Sequence, residues 1–109
     1  MTSLLMKKIL FLFFLPFFLW SKPLDFNLNV RPILSDKCFS CHGPDEHGRK
    51  ADLRLDIEKN AKDPGLMAIV AGKPDESEMI FRIHSDDEDE VMPPPEIGKP
   101  LTAKEKKVL

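Results

Sequence analysis

The sequence predicts an all-α fold in a single small domain, and three observations lead to that prediction. First, once an apolar N-terminal segment is set aside, residues 22–109 are enough for only one small domain. Second, apolar side chains recur at helical spacing in short segments that Gly- and Pro-containing turns separate. Third, two Gly-Lys-Pro turns, beginning at Gly72 and Gly98, each lead into a sequence typical of a helix start.

Residues 1–21 are predicted to be a bacterial signal peptide. Lys7 and Lys8 give its positive start, and residues 9–20 form an uncharged apolar stretch of twelve residues, whereas a membrane span needs about 20. Ser21 suits the last residue removed but Leu19 is large for its position, so an uncleaved N-terminal anchor is the alternative. In both cases residues 22–109 are predicted to be exported, to the periplasm or cell envelope, and to meet a membrane only if the anchor is retained.

The charge balance narrows the class of partner. Removing residues 1–21 removes two lysines and no acids, which leaves 14 basic and 18 acidic residues and a formal net charge of −4. A mildly acidic domain is not suited to phosphate backbones, so no nucleic-acid partner is expected.

The elements of residues 22–109 are predicted in order. A first helix runs from Asn29, its cap, to Lys37, with Pro32 tolerated in the opening turn. Residues 51–56 alternate apolar and polar side chains, which predicts a short extended segment or a tight connection, and residues 63–65 (Asp-Pro-Gly) form a turn. Capping boxes at 75–78 and 102–105 open a helix that runs to Ile83 and a final helix.

The chemistry-bearing feature is Cys38-Phe39-Ser40-Cys41-His42, the C-x-x-C-H pattern of covalent c-type haem attachment. The two thiols add to the porphyrin vinyl groups, and the adjacent imidazole becomes a ligand of the iron. No other cysteine is present to compete. The alternatives are a redox dithiol, which needs a βαβ context that is not visible, and a zinc or disulfide module, for which only His47 and His84 remain as further histidines.

Met92-Pro93-Pro94-Pro95 is the second chemical feature. A haem iron with a proximal histidine commonly takes a thioether as its other axial ligand, and prolines fix the backbone that carries it. Met92 is therefore the predicted sixth ligand, and His84 is its main rival. Met67 is a weaker candidate. Met79 is expected to pack in the core, and His47 is expected at the surface.

Two sets of charged residues can be interpreted either as ordinary solvent-exposed residues or as functional ones. Residues 86–90 are five consecutive acids, which are either a solvated loop or a docking site for a basic redox partner. Arg49 and Arg54 are either exposed or paired with haem propionates.

Four blocks of the sequence closely resemble the planctomycete-type cytochrome c domain: residues 30–34, 38–45, 51–56 and 91–95. The resemblance extends over about residues 26–109. It implies a small class I-like cytochrome c fold, with short helices around one covalent haem c, held by Cys38 and Cys41 and with His42 and Met92 as iron ligands. Compared with that family, the last helix is expected to be truncated, so residues 22–109 would be a cytochrome c domain incomplete at its C-terminus.

The function that follows is single-electron transfer between redox partner proteins, without catalysis by the domain itself, since no nucleophile and base are paired in the sequence. The alternatives are a haem-based sensor or enzyme module with an open sixth site, and the non-haem zinc or disulfide module. The sequence names neither the donor nor the acceptor, nor the redox potential.

Overall fold

The computed structural model describes residues 22–109, and the helices in this part of the chain are short. The α-helices are α1 (Arg31–Lys37), α2 (Glu58–Ala61), α3 (Glu78–Ile83) and α4 (Ala103–Val108). A π-helical turn (Phe26–Val30) runs directly into α1, and 3₁₀ turns occupy Pro74–Glu76 and Pro95–Ile97. Residues 22–109 contain no β-strand, so the predicted all-α class is confirmed for the described chain. The predicted signal peptide, residues 1–21, lies outside the described residues. None of the helices described is long and apolar enough to cross a membrane.

The first helical segment begins at Phe26, earlier than the predicted start, and its cap is Asp25 rather than Asn29. The Asp25 carboxylate accepts a hydrogen bond from the Leu28 N–H at 3.0 Å, while the Asn29 side chain accepts one from the Asp25 N–H at 2.8 Å. The prediction was wrong because both residues are good cap formers, and here the Asp25 carboxylate caps the Leu28 N–H while the Asn29 side chain bonds back to the Asp25 N–H. Pro32 lies in the first turn of α1, as expected.

A small core lies beneath α1. Leu34, Leu55 and Ala61 are its fully buried members, and these residues pack around them: Val30, Cys38, Phe39, Leu53, Ile69, Met79 and Leu109. The predicted alternation in residues 51–56 holds, since Leu53 and Leu55 face this core while Arg54 and Asp56 pair with each other outside it. The segment is a tight connection rather than a strand. The core therefore packs directly against the first cysteine of the C-x-x-C-H turn.

The two predicted capping boxes have different outcomes. At the start of α4 the Thr102 hydroxyl accepts from the Glu105 N–H at 3.1 Å, and the Glu105 carboxylate accepts from the Thr102 N–H at 2.9 Å, which confirms that box. At the start of α3 no side chain caps the helix. The predicted box is wrong because Asp75 lies inside the 3₁₀ turn Pro74–Glu76, and α3 begins only at Glu78 with Ser77 at the cap position. The buried Ser77 hydroxyl accepts from the Val70 N–H at 2.9 Å, a contact with the preceding loop, and does not cap α3.

The C-terminal segment lies against the end of α1. Lys37 donates a hydrogen bond to the Pro100 carbonyl at 3.3 Å and lies 4.0 Å from the Glu105 carboxylate, and Lys99 pairs with Asp36 at 3.1 Å. Leu109 adds its side chain to the core. Residues 99–109 are therefore fixed to the helix that delivers the chain to Cys38.

Candidate functional site

The C-x-x-C-H motif forms one tight turn at the C-terminal end of α1. The Cys38 N–H donates to the Leu34 carbonyl at 2.8 Å, which continues the helical pattern into the motif. The Cys38 carbonyl then accepts from the N–H groups of Cys41, at 3.2 Å, and His42, at 2.8 Å. Both thiols are unbridged and partly exposed. The turn thus holds the two sulfurs one helical turn apart, with the imidazole directly after the second.

Gly43 is required by the close packing of this turn. It is buried, and a Cβ atom built on it would collide with the Phe39 carbonyl oxygen inside the motif. The Gly43 carbonyl accepts from the Arg49 Nε at 3.0 Å, and Arg49 also donates to the Pro44 carbonyl at 3.3 Å. Arg49, which the sequence suggested as a propionate partner, therefore stabilises the backbone just after His42 through these two hydrogen bonds.

The His42 ring is oriented by a backbone carbonyl. Its Nδ1 lies 3.1 Å from the carbonyl oxygen of Lys50, and since a carbonyl only accepts, Nδ1 carries the proton. With the proton on Nδ1, the lone pair of the neutral ring is on Nε2. Metal-binding histidines in proteins characteristically donate their second ring N–H in this way.

Burial lowers the pKa of His42, and the nearby positive charge of Arg82 acts in the same direction. The carbonyls of Lys50 and Leu53 oppose this effect. The lowered pKa favours the neutral imidazole at physiological pH, which is the form that binds metals.

The Cys38 thiol is largely shielded from solvent. Burial, and the charge of the neighbouring Cys41, raise the pKa of Cys38 to about 11. At neutral pH its sulfur is therefore a thiol, poorly reactive toward oxidants and alkylating agents.

Met92 lies on a separate loop that is tied to α3. Its N–H donates to the Arg82 carbonyl at 3.2 Å, and the Arg82 guanidinium in turn donates to the Glu90 carbonyl at 3.4 Å. Arg82 is also the residue whose charge reaches His42. Arg82 thus bonds to the Met92 loop and lies near enough to His42 for its charge to act there, although Met92 and His42 are fifty residues apart in the sequence.

A cleft of about 260 Å³ opens beside Met92. Its lining consists of Ile83, Val91, Met92, Pro93, Pro94, Pro95, Pro100, Leu101 and Lys106. Every lining side chain is apolar except that of Lys106, and the Met92–Pro93 peptide bond is cis. The Met92 thioether is thus the only sulfur donor in an otherwise hydrocarbon-lined space.

The other candidate ligands are less enclosed. His84 is exposed at the C-terminal end of α3. His47 is also exposed, and its backbone N–H donates to the Asp45 carboxylate at 3.0 Å. Met67 is 47% exposed, while Met79 packs in the core as predicted. The two predicted candidates for the sixth ligand, Met92 and His84, both lie at the C-terminal end of α3.

Arg54 is engaged within the fold rather than directed to a cofactor. Its guanidinium forms a two-pronged contact with the Asp56 carboxylate, at 2.7 and 3.1 Å, and this hydrogen bond lowers the pKa of Asp56. Both arginines that the sequence suggested for the propionates therefore already have protein partners. Sequence reasoning missed the contributions of the Lys50 carbonyl, Arg82 and Lys106, because no motif marks a residue that acts through its backbone or its place in the fold.

The thiols and histidines do not form a conventional metal cage. Among residues 22–109, no three side chains of His, Cys, Asp or Glu come together as a group that could hold a metal ion. The chemistry of the donor set is instead two thiols beside one imidazole whose Nδ1 is anchored. That set fits a cofactor that is bonded through carbon to sulfur and through its metal to nitrogen.

Comparison with known families decides the identity of the domain. Residues 38–96 match the family described as Planctomycete cytochrome C. The chain belongs to this family. The matched region begins at the first cysteine of the motif and ends just after Met92-Pro93-Pro94-Pro95, so it contains all four predicted site residues. No curated protein and no solved structure matches the chain. Membership of a cytochrome c family implies haem as the cofactor and electron transfer as the general role, and the recognition of this domain from its sequence is confirmed.

Proposed function

We propose that residues 22–109 form an exported class I-like c-type cytochrome domain, which binds one covalent haem and passes single electrons between redox proteins. The observation that carries the proposal is the 3.1 Å contact from His42 Nδ1 to the Lys50 carbonyl. It fixes the tautomer in which Nε2 is the metal-binding nitrogen, and it occurs in the imidazole that follows two free thiols in one turn.

Four residues would hold the haem. Cys38 and Cys41 would form the two thioether bonds, His42 would ligate iron through Nε2, and Met92, from its apolar cleft, would supply a second ligand to the iron. When bound, haem supplies a one-electron Fe(III)/Fe(II) couple. The role of the chain is then to orient the imidazole, to exclude water on the Met92 side with three consecutive prolines, and to present a thioether that favours the ferrous state.

The electron-transfer role rests on the two proposed iron ligands. An iron bound by both a histidine and a methionine has no coordination position open for a substrate. We therefore propose an electron carrier rather than a catalyst. The acidic segment 86–90 lies directly before Met92 and is exposed over Asp86–Asp89, which supports a basic redox partner. The signal-like segment 1–21 supports delivery to the periplasm or cell envelope.

Two other functions would use the same residues differently. A sensor or enzyme module would need an iron that exchanges its sixth ligand, and addition of carbon monoxide to the reduced protein would reveal it as a change in the Soret band. A zinc or disulfide module would use Cys38 and Cys41 alone. The donor set described above supports haem over zinc, because among residues 22–109 no three side chains of His, Cys, Asp or Glu are grouped as zinc ligands would be.

The test is covalent haem retention under denaturing conditions. The whole chain is expressed with its N-terminal segment in a host that has a cytochrome c maturation system, then separated on a denaturing gel and stained for haem peroxidase activity. We expect a haem-positive band for the wild type and for Ser40→Ala, which alters the same turn without removing a thiol. The doubly substituted C38A/C41A chain should carry no haem. A wild-type band that is present but unstained contradicts the proposal.

A further inference from the structure

The Met92 loop, residues 85–92, begins just after α3, and both of its ends bond to one arginine of that helix. The Arg82 carbonyl accepts from the N–H of Ser85 and from the N–H of Met92, each at 3.2 Å. The Arg82 guanidinium donates to the Glu90 carbonyl at 3.4 Å and to the Glu78 carboxylate at 3.1 Å. Arg82 therefore closes the loop through its backbone and, two residues before Met92, through its side chain as well.

The inside of the Met92 loop is held by hydrogen bonds and not by ion pairs. The Ser85 hydroxyl donates to the Glu90 carboxylate at 3.3 Å, and the Asp87 carbonyl accepts from the Glu90 N–H at 3.0 Å. Among residues 22–109, none of the five acids at positions 86–90 forms an ion pair. Their like charges repel one another, so the bond from the cationic Arg82 side chain offsets a repulsion that favours opening of the loop.

We infer that Arg82 is a positioning residue for Met92, because its guanidinium, bonded to the Glu90 carbonyl, keeps the Met92 loop closed and the thioether on the iron. The inference rests on the proposed function, in which Met92 is an iron ligand. The Arg82 side chain is 37% exposed, so its bond is of modest strength and the loop opens in a minor fraction of molecules. In that fraction an external ligand can bind in place of the thioether. Arg82 thus sets how readily the sixth ligand exchanges.

The experiment measures, by optical titration, how tightly the full-length, haem-loaded protein binds imidazole in its oxidised form. Imidazole binds only when Met92 has left, so its apparent affinity rises in proportion to the open fraction. We expect R82Q to bind imidazole about fivefold more tightly than wild type, since one hydrogen bond of a partly exposed charged group is lost. R82K keeps the charge but not the planar fork that reaches two partners, so it should be intermediate. The matched control is K62Q, which also removes one positive charge from an i,i+4 ion pair, with Glu58 at 2.8 Å, and should bind imidazole as wild type does.

A double-mutant cycle separates the positioning of Met92 from any other effect of Arg82. M92A lacks the thioether, so it should bind imidazole more tightly than R82Q does, and adding R82Q to M92A should have no further effect. An equal gain from R82Q in both backgrounds, or no gain relative to K62Q, would overturn the role of Arg82 while leaving the cytochrome intact. A wild-type chain without covalent haem would instead overturn the proposed function, and the inference with it. Thermal unfolding of R82Q and K62Q, which each lose one exposed ion pair, separates ligand exchange from a general loss of folding.

Discussion

His42 Nδ1 lies 3.1 Å from the carbonyl oxygen of Lys50, eight residues further along the chain. The loop between them is closed by a second bond, from the Lys50 N–H to the Cys41 carbonyl at 2.7 Å. One residue thus fixes the motif turn through its N–H and the imidazole ring through its C=O. Because the ring orientation depends on backbone geometry at Lys50, the residues that shape that backbone are as important to the site as the ligands.

The first prediction concerns the backbone just after Lys50. Ala51 and Asp52 have φ angles of 57° and 52°, in the left-handed region that costs an L-residue roughly 1–2 kcal/mol relative to glycine. Ala51→Gly should therefore raise the free energy of unfolding by about 1 kcal/mol, as measured by urea denaturation. Ala71→Gly is the control, since Ala71 is an exposed loop residue without a positive φ, and it should destabilise by about 0.4–1 kcal/mol. Equal effects of the two substitutions would contradict the strain at Ala51.

The second prediction concerns Gly43. A methyl group there would strike the Phe39 carbonyl oxygen, which belongs to the rigid motif turn and has no room to withdraw. Gly43→Ala should therefore destabilise the protein by about 1–3 kcal/mol and reduce the yield of haem-loaded protein. Gly65→Ala is the matched control, because its new methyl group would meet only the end of the Asp63 side chain, at 3.2 Å. A Gly43→Ala protein with wild-type stability and haem yield would refute the tight turn.

The third prediction distinguishes the two candidate distal ligands. If Met92 ligates the iron, Met92→Ala should abolish the thioether-to-iron absorption near the red end of the spectrum and lower the midpoint potential. His84→Ala should leave both unchanged, because His84 is exposed at the end of α3. Loss of the native spectrum in His84→Ala, with retention in Met92→Ala, would transfer the assignment to His84.

The fourth prediction uses the pKa of Cys38 in the chain produced without haem. Burial raises this pKa to about 11, and only the thiolate reacts with iodoacetamide. The alkylation rate at Cys38, followed by mass spectrometry of the peptide, should therefore increase about tenfold per pH unit from pH 7 until it levels near pH 11.

The control is the same chain in concentrated urea, where burial is lost. There the Cys38 rate should level at a pH near the ordinary thiol pKa of about 8.5. A folded chain whose Cys38 rate already levels by pH 9 would show that this thiol is not desolvated in the way the structure describes.

Local chemistry in the sequence was sufficient for several elements. The Thr102–Glu105 capping box formed as predicted because both partners lie within one turn, and the alternation around Leu53 and Leu55 predicted which side chains reach the core. The C-x-x-C-H pattern likewise pointed to the family, since its chemistry is contained in five consecutive residues.

Contacts between distant segments were beyond the reach of the sequence. The predicted cap at Asn29 was wrong because more than one nearby group could bond, and the choice depended on Asp25. The predicted capping box at 75–78 was wrong because Asp75 lies in a 3₁₀ turn, and Ser77, at the cap position of α3, bonds to the loop at Val70 instead. The partners of Arg49 and Arg54, which are backbone carbonyls and the Asp56 carboxylate, were likewise not predicted from the sequence.

The sequence by itself determined the reactive groups: two thiols, one adjacent imidazole and a methionine before three prolines. Only the tertiary structure decided how those groups are held, through the Lys50 carbonyl at His42 and the Arg82 carbonyl at Met92. The physical reason is that reactivity is a property of side-chain type, whereas orientation and burial arise from which distant backbone and charged groups the fold brings together.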